Sequence, residues 1–355
     1  MGYDSTSYLP KRVTRERVEE LGELLGYKRH TFREGKGKQS VVFHYFEEQN
    51  YLSACGVRLV VRKGSRGIEV DTRTNIWCSE DDMRMQNLTV KRLRDYLGGR
   101  FITDFGRNRY FRFEGDRLEP PEAGCALAFS RFGHNMVKME IYIENRRFEG
   151  KHWETTGQFN FADDINPRIF SNNMLVPFMV AALEEYFQAT FVALLKYSPK
   201  KLTILKNSRV RPEDLMAIAK GTTSVERAIS DQFSFQHLEQ IASHFKSIDA
   251  RLDVAGVLRK PYRRRRRSLY ESFAALIKHR HDIIHRSETL TNFTDDLAIT
   301  ALEDLEAGIT RVYTMIVRTF GWHFIKEWGS GVERMRKKIV ASMLKKKSQP
   351  RNAGQ

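Results

Sequence analysis

The chain reads as an α+β N-terminal domain over residues 1–165, then an all-α helical bundle over 166–325 and a basic C-terminal tail over 326–355. Three observations carry that division. Between residues 40 and 77, segments rich in β-branched and aromatic side chains alternate with glycine-containing turns. After Pro167 the apolar residues recur instead at helical spacing. The charge also shifts: residues 1–165 carry 28 Lys and Arg against 25 Asp and Glu, a balance of +3, while residues 166–355 carry 32 against 19, a balance of +13.

The elements follow in order. Val13, Val18, Leu21, Leu24 and Leu25 have helical spacing over 13–27. SVVFHYF (40–46), CGVRLVVR (55–62) and RGIEVDTRTNIW (66–77) read as strands, with GSRG (64–67) as a hairpin between the last two. Ser79 with Glu80, Asp81 and Asp82 opens a helix that runs to about Leu97, where Gly98-Gly99 ends it. FITDFGRNRYFRF (101–113) reads as strand, turn and strand, and Cys125 to Phe132 as a further strand. Residues 151–166 are polar and aromatic without periodicity, which puts the domain boundary just before Pro167. Beyond it a long apolar-periodic helix covers 174–196, and shorter helices lie near 212–220, 223–230 and 235–247. The basic run RKPYRRRRR (259–267) precedes a helix over 268–286, and a last long helix spans 295–318. The tail, with Lys337, Lys338 and Lys345 to Lys347, begins helical and ends disordered.

The bulk properties narrow the function. At 41% hydrophobic and 29% charged, with 9 prolines, the composition is globular rather than disordered. No apolar run of membrane-span length and no signal-peptide core stand out, so a cytoplasmic protein without membrane partners is expected. Cys55, Cys78 and Cys125 are odd in number and lack a CxxC, which argues for a reducing compartment and against disulfides or thiolate zinc. The net charge of +16, concentrated in the C-terminal part, points to a polyanion; nucleic acid is the commonest, and no amphipathic segment suited to an anionic membrane accompanies it.

The helix over 268–286 holds the unusual chemistry, in the stretch IKHRHDIIHRSE. At about 100° per residue, positions 273, 276, 277, 280, 283 and 284 form one stripe, and all are apolar except Arg280. His281 and His285, four apart, stack along its edge, with Lys278 and Arg286 further round. An arginine at a core position needs a partner, because an unpaired buried guanidinium costs several kcal/mol. The helix over 174–196 offers one: Val176, Val180, Leu183, Phe187, Phe191 and Leu194 form its buried face, and Glu184 sits at the margin. A Glu184–Arg280 pair fixes the guanidinium and leaves N–H groups free for a phosphate. The plain alternative is a structural ion pair with two histidines capping the stripe. A metal site of His279, His281 and His285 is weaker, since 279 points elsewhere, Asp282 is on the far face and no carboxylate completes the set.

Arg280-His281-Asp282-Ile283-Ile284-His285 resembles the R-x4-6-H signature of the HEPN superfamily of helical ribonuclease-type domains. The pattern occurs twice more, as Arg147…His152 and Arg318…His323, but only the 280–285 copy sits on an apolar-striped helix with a polar residue after the arginine. The resemblance extends to the acid-bearing first long helix, the intermediate helices and the long last helix, and covers about 166–325. It implies metal-independent RNA cleavage without a cofactor, at a site assembled from two motif copies across a homodimer. It makes His285 the general acid or base, Arg280 the stabiliser of phosphorane charge, His281 an assistant and Glu184 the residue that holds Arg280. Ser287 stands where nucleotidyltransferase-associated members carry a modifiable tyrosine, which disfavours that subclass.

Arg263, Arg264, Arg265, Arg266 and Arg267, just upstream of the motif helix, are expected to contact the RNA backbone together with Lys278 and Arg286; a solvated loop is the alternative. In the N-terminal domain Arg107, Asn108, Arg109 and Tyr110 follow a glycine turn and are candidate ligand contacts, or simply a tight turn with arginines on its rim. The resemblance implies that this domain senses a phage-derived or cellular trigger or holds the nuclease quiet, with RNA binding as the alternative. The expectation is therefore a toxin or antiphage ribonuclease, with a non-catalytic RNA- or protein-binding regulator on the same fold as the alternative.

Overall fold

The computed structural model describes residues 2–34, 38–64, 67–75, 78–115, 118–149 and 166–323. Its contacts divide the chain into Met1–Ala123 and Gly124–Gln355.

The strands expected from β-branched runs form, and two more join them. The N-terminal unit holds β1 (Gly2–Tyr8), α1 (Arg15–Leu24), β2 (Lys28–Glu34), β3 (Lys38–Tyr45), β4 (Val57–Gly64), β5 (Gly67–Asn75), α2 (Glu80–Arg92), β6 (Arg100–Thr103) and β7 (Gly106–Arg107). They make one seven-stranded sheet in the order β2-β3-β4-β5-β1-β6-β7, with every pair antiparallel. Gly64 lies opposite Gly67, as the GSRG hairpin requires. Strands β1 and β2 carry no apolar alternation and are not apparent in the sequence. In β1 the inward residues are Ser5 and Ser7, and the Ser5 hydroxyl bonds Thr72 Oγ1 at 2.5 Å. That pair offsets the desolvation cost of two hydroxyls in this buried polar strip, while Ser7 Oγ is buried without a hydrogen-bond partner among the described residues. The Gln86 amide of α2 extends the strip, donating to Tyr3 O (3.0 Å) and Thr72 O (3.2 Å).

Ser79 caps α2 as expected: its hydroxyl accepts from Asp82 N, while the Asp82 carboxylate accepts from Ser79 N. The same carboxylate, fully buried, also accepts from Ala54 N and Cys55 N. The helix ends through a π turn at Leu93–Leu97, and Gly99 follows at φ +99°, where a Cβ would lie 2.2 Å from Tyr8 O. The apolar core beside it gathers Leu9, Val18, Phe43, Leu59, Val70 and Leu93.

In the second unit, α3 (Pro120–Glu149) replaces the strand expected at Cys125 to Phe132. A short apolar run does not distinguish a strand from a buried helix. The longer spacing does, since Cys125, Ala128, Phe132, Met136, Met139 and Ile143 are all buried. Phe129 stacks on Tyr313 at 4.5 Å and Phe132 tilts against Tyr186 at 5.7 Å. The unit therefore starts at Gly124, earlier than the boundary read at 165/166, because α3 packs into the helical core. The remaining helices are α4 (Pro167–Tyr197), α5 (Lys201–Lys206), α6 (Pro212–Ala219), α7 (Val225–Ser230), α8 (Leu238–Ile248), α9 (Val254–Arg259), α10 (Leu269–Arg286) and α11 (Asp295–Phe320). An α+β unit followed by a helical unit is thus the architecture.

Helix α4 is the centre of the second unit. The six residues expected to be buried, Val176, Val180, Leu183, Phe187, Phe191 and Leu194, are all inside, and α4 packs against α7, α8, α10 and α11. Contrary to the sequence reading, it is long and apolar enough to cross a bilayer by composition; 67% of its most apolar window is buried within the protein, as in a core helix. Gly308 of α11 leaves room for a ring of α10. A Cβ there would lie 2.3 Å from the fully buried Phe273 ring of α10. Gly308→Ala is therefore expected to cost about 1–3 kcal/mol from overpacking, read as a lowered urea midpoint; an unchanged midpoint refutes that contact.

The Arg318…His323 copy of the motif runs through the end of α11, which stops at Phe320 with Gly321 left-handed. His152 of the Arg147…His152 copy and the tail from 326 onward lie outside the described residues.

Candidate functional site

Helix α10 begins with a second capping box. Ser268 N–H donates to Glu271 Oε2 at 2.7 Å, and Glu271 N–H to Ser268 Oγ at 3.3 Å. It ends at left-handed Ser287, whose N–H bonds Ile283 O while Glu288 N–H bonds Asp282 O. Both ends are thus set locally, and packing decides only the rotation.

That rotation differs from the expected one. The buried residues are Leu269, Phe273, Leu276, His279 and Ile283; Arg280 is half-buried and Ile284 is 53% exposed. His279, not Arg280, takes the inner position because it has a partner. Its Nε2 lies 2.8 Å from Asn173 Oδ1, and its ring meets Phe293 edge-on at 5.2 Å. Asn173 Oδ1 also accepts from Leu290 N–H, so His279 must donate from Nε2. Burial pushes its pKa down, which keeps it neutral.

His281 and His285 are both exposed and in contact, with ring centroids 4.5 Å apart, but their planes tilt at 46° rather than stack as expected. Arg280 and His281 line a cavity of about 560 Å³ between α4, α8 and α10, and Glu184 stands on its wall. His285 does not line it. Five residues apart on a helix, Arg280 and His285 diverge by about 140°; the His281 ring lines the cavity and touches that of His285.

The expected Glu184–Arg280 ion pair does not close. Both side chains are half-buried on one cavity, yet among the described residues Arg280 makes no ion pair or side-chain hydrogen bond. Glu184 Oε1 is buried without a hydrogen-bond partner. Burial pushes the Glu184 pKa up, and the Arg280 charge pulls it back only in part. A raised carboxyl pKa means that folding stability is lost as pH rises through the folded value. Glu184→Gln is therefore expected to melt no lower than the parent at pH 8, and to narrow the melting difference between pH 5 and pH 8. A clear loss at pH 8 would show a stabilising pair instead.

The basic run is largely committed elsewhere. Arg263 pairs with Glu303 (2.5 Å), Arg265 with Asp304 (2.8 Å), and Arg267 donates to Glu271 O (3.1 Å). Arg263 and Arg265 also flank the Tyr262 ring, at 5.1 and 5.3 Å. Arg264 and Arg266 alone in the run are exposed without such a partner among the described residues. Lys278 and Arg286 both pair with Asp282, at 2.6 and 3.6 Å. Two of the five arginines, Arg263 and Arg265, thus tie the loop to Glu303 and Asp304 of α11, while Arg264 and Arg266 remain exposed.

In the N-terminal unit, Asn108 is a turn residue. At φ +56° its backbone and side chain bond Phe101, through N–H to O at 2.9 Å and Oδ1 from N–H at 3.1 Å. Tyr110 packs on Phe101 at 5.1 Å with the Arg94 guanidinium over it, while Arg107 and Arg109 are exposed. The tight-turn alternative accounts for Asn108 and Tyr110.

A polar cluster escaped the sequence reading. Asp295, at the start of α11, pairs with Arg146 (2.6 Å) and Arg168 (2.5 Å) and accepts from the Asn172 amide (2.9 Å). Asn172 and Asn173 are wholly buried, an adjacent asparagine pair in an apolar helix, and that was the available signal. Through Asn173 the cluster reaches His279, so it sets the rotation of the motif helix. Among the described residues no three His, Cys, Asp or Glu side chains gather as a metal site. Comparison with protein-family models, curated proteins and solved structures finds no match.

Proposed function

We propose that the helical unit is a HEPN-type, metal-independent endoribonuclease that works as a homodimer, as a toxin or antiphage effector in the cytosol. The observation that carries this reading is a half-buried guanidinium with no ion-pair partner among the described residues, on a cavity wall beside two histidines in ring contact. Such an arginine is poised for a phosphate oxygen. The chemistry is a transesterification. An imidazole takes the ribose 2′-OH proton, the 2′-oxygen attacks the adjacent phosphorus, and the P–O5′ bond breaks. The leaving 5′-oxygen receives a proton from an imidazolium, giving a 2′,3′-cyclic phosphate and a 5′-hydroxyl. Arg280 stabilises the charge on the phosphorane. Since Arg280 and His285 diverge in one protomer, a two-fold partner supplies the opposing His285. The N-terminal unit is assigned the sensing of a phage-derived or cellular trigger.

The test is purified protein with end-labelled RNA in excess EDTA. Products ending in cyclic phosphate, and partial recovery of activity on mixing Arg280→Ala with His285→Ala chains, support the composite site. A second reading, a non-catalytic RNA- or protein-binding regulator, is favoured by the position of His285 off the cavity. It predicts RNA retention without any product.

A further inference from the structure

The proposed reaction uses one wall of the cavity beside Arg280 and leaves the opposite wall without a role. That wall is Gln236 to Gln240, the entry to α8. Gln236, Glu239 and Gln240 are exposed there, and among the described residues their side chains have no hydrogen-bond or ion-pair partner. Leu238 and Ile277 supply an apolar floor, and Tyr270 stands beside it with the Arg259 guanidinium 4.2 Å from its ring centroid. At about 560 Å³ the space falls in the range of roughly 300–1,000 Å³ usual for small-molecule sites.

We infer that this cavity receives the unpaired nucleobase next to the scissile phosphate, and that Glu239 with Gln236 and Gln240 selects a base bearing an exocyclic amine. The inference rests on the ribonuclease reading, deepening it from RNA in general to a base-selective cut. Single-stranded RNA is read by splaying a base onto apolar or aromatic surface and hydrogen-bonding its Watson–Crick edge. Amides both donate and accept, but an ionised carboxylate only accepts. Glu239 therefore suits adenine or cytosine, whose 6- and 4-amines donate, and opposes the O4 carbonyl that uracil presents at the equivalent position. Arg280 lines the same cavity and is assigned the adjoining phosphate.

Two measurements on the full chain test this. The first is binding of fluorescein-labelled oligo(A), oligo(C) and oligo(U) of equal length by anisotropy, in the wild type and in Glu239→Gln. Wild type is expected to hold the A or C oligomer about tenfold tighter than the U oligomer. Glu239→Gln is expected to erase that ratio, because an amide donates to the uracil carbonyl. The second is sequencing of product ends from a random RNA pool, where cuts beside uridine are depleted in the wild type and restored in Glu239→Gln. Equal affinity for all three oligomers, or a ratio that Glu239→Gln leaves intact, overturns the pocket whether or not RNA is cut. Base-selective binding without any cleavage overturns the ribonuclease reading alone. Cleavage with a map indifferent to base overturns the pocket alone.

Discussion

RNA cleavage by the His285→Ala protein is expected to fall by about 10²- to 10⁴-fold, the usual size of a lost general acid or base. Arg280→Ala is expected to cost about 10²- to 10³-fold, as when one donor to a developing oxyanion is removed. The two differ in what rescues them. Arg280→Lys keeps the charge but loses the planar fork of donors that binds two phosphate oxygens at once, so little activity returns. Both side chains lie outside the buried stripe of α10, His285 exposed and Arg280 half-buried with no ion pair among the described residues. Folding should survive, and circular dichroism with gel filtration establishes that each variant is compared as a folded chain. Initial rates on labelled RNA in EDTA then decide. Rates within threefold of wild type for both variants would remove these residues from the chemistry.

Asp295→Ala is expected to destabilise the helical unit by about 3–5 kcal/mol, the cost of stranding buried charge. Arg146 and Arg168 converge on this one carboxylate, and the three side chains are only 9–15% exposed. Asp295→Asn keeps the shape while removing the charge, so a comparable loss there identifies charge rather than packing as the cause. Acid should do the same. Burial pushes the Asp295 carboxyl up, but the Asn172 amide, Arg168 and Arg146 outweigh it and hold it below its ordinary value. Its contribution is complete above the unfolded pKa, about 3.9, and is lost as pH falls through the lower folded value. Urea unfolding at neutral pH and at stepwise lower pH, wild type beside Asp295→Asn, should show two curves converging in acid. Parallel curves, or a loss below about 1 kcal/mol at pH 7, would show that the cluster contributes little. RNA cleavage in the same variants should fall with stability, because Asn172 and Asn173 tie this cluster to His279 inside the motif helix.

Wherever a signal is local, it is legible in the residues. The capping boxes at Ser79 and Ser268 depend on side chains three positions apart, and both form. The buried face of α4 depends on spacing within one helix, and all six expected residues are inside. The contact of His281 with His285 is likewise a matter of one helical turn, although the rings tilt rather than stack. Failures begin where a partner is distant. His279 is buried because an amide 106 residues earlier receives its N–H. The arginine run is tethered because acids about 40 residues later reach it. Strand β1 is hidden because its inward residues are serines rather than apolar, Ser5 being paired with Thr72 on another strand.

The sequence by itself determined an α+β unit followed by a helical one, the start and end of the motif helix, and the placement of Arg280, His281 and His285 along it. Hydrogen-bonding side chains within a turn, and apolar periodicity along one element, are sufficient for that. Only the tertiary structure decided which face of the motif helix turns inward, that Arg280 has no carboxylate partner, and that Gln236 to Gln240 face it across a cavity. Those outcomes depend on which polar groups meet across helices, and burying a polar side chain is favourable only when its partner is already in place.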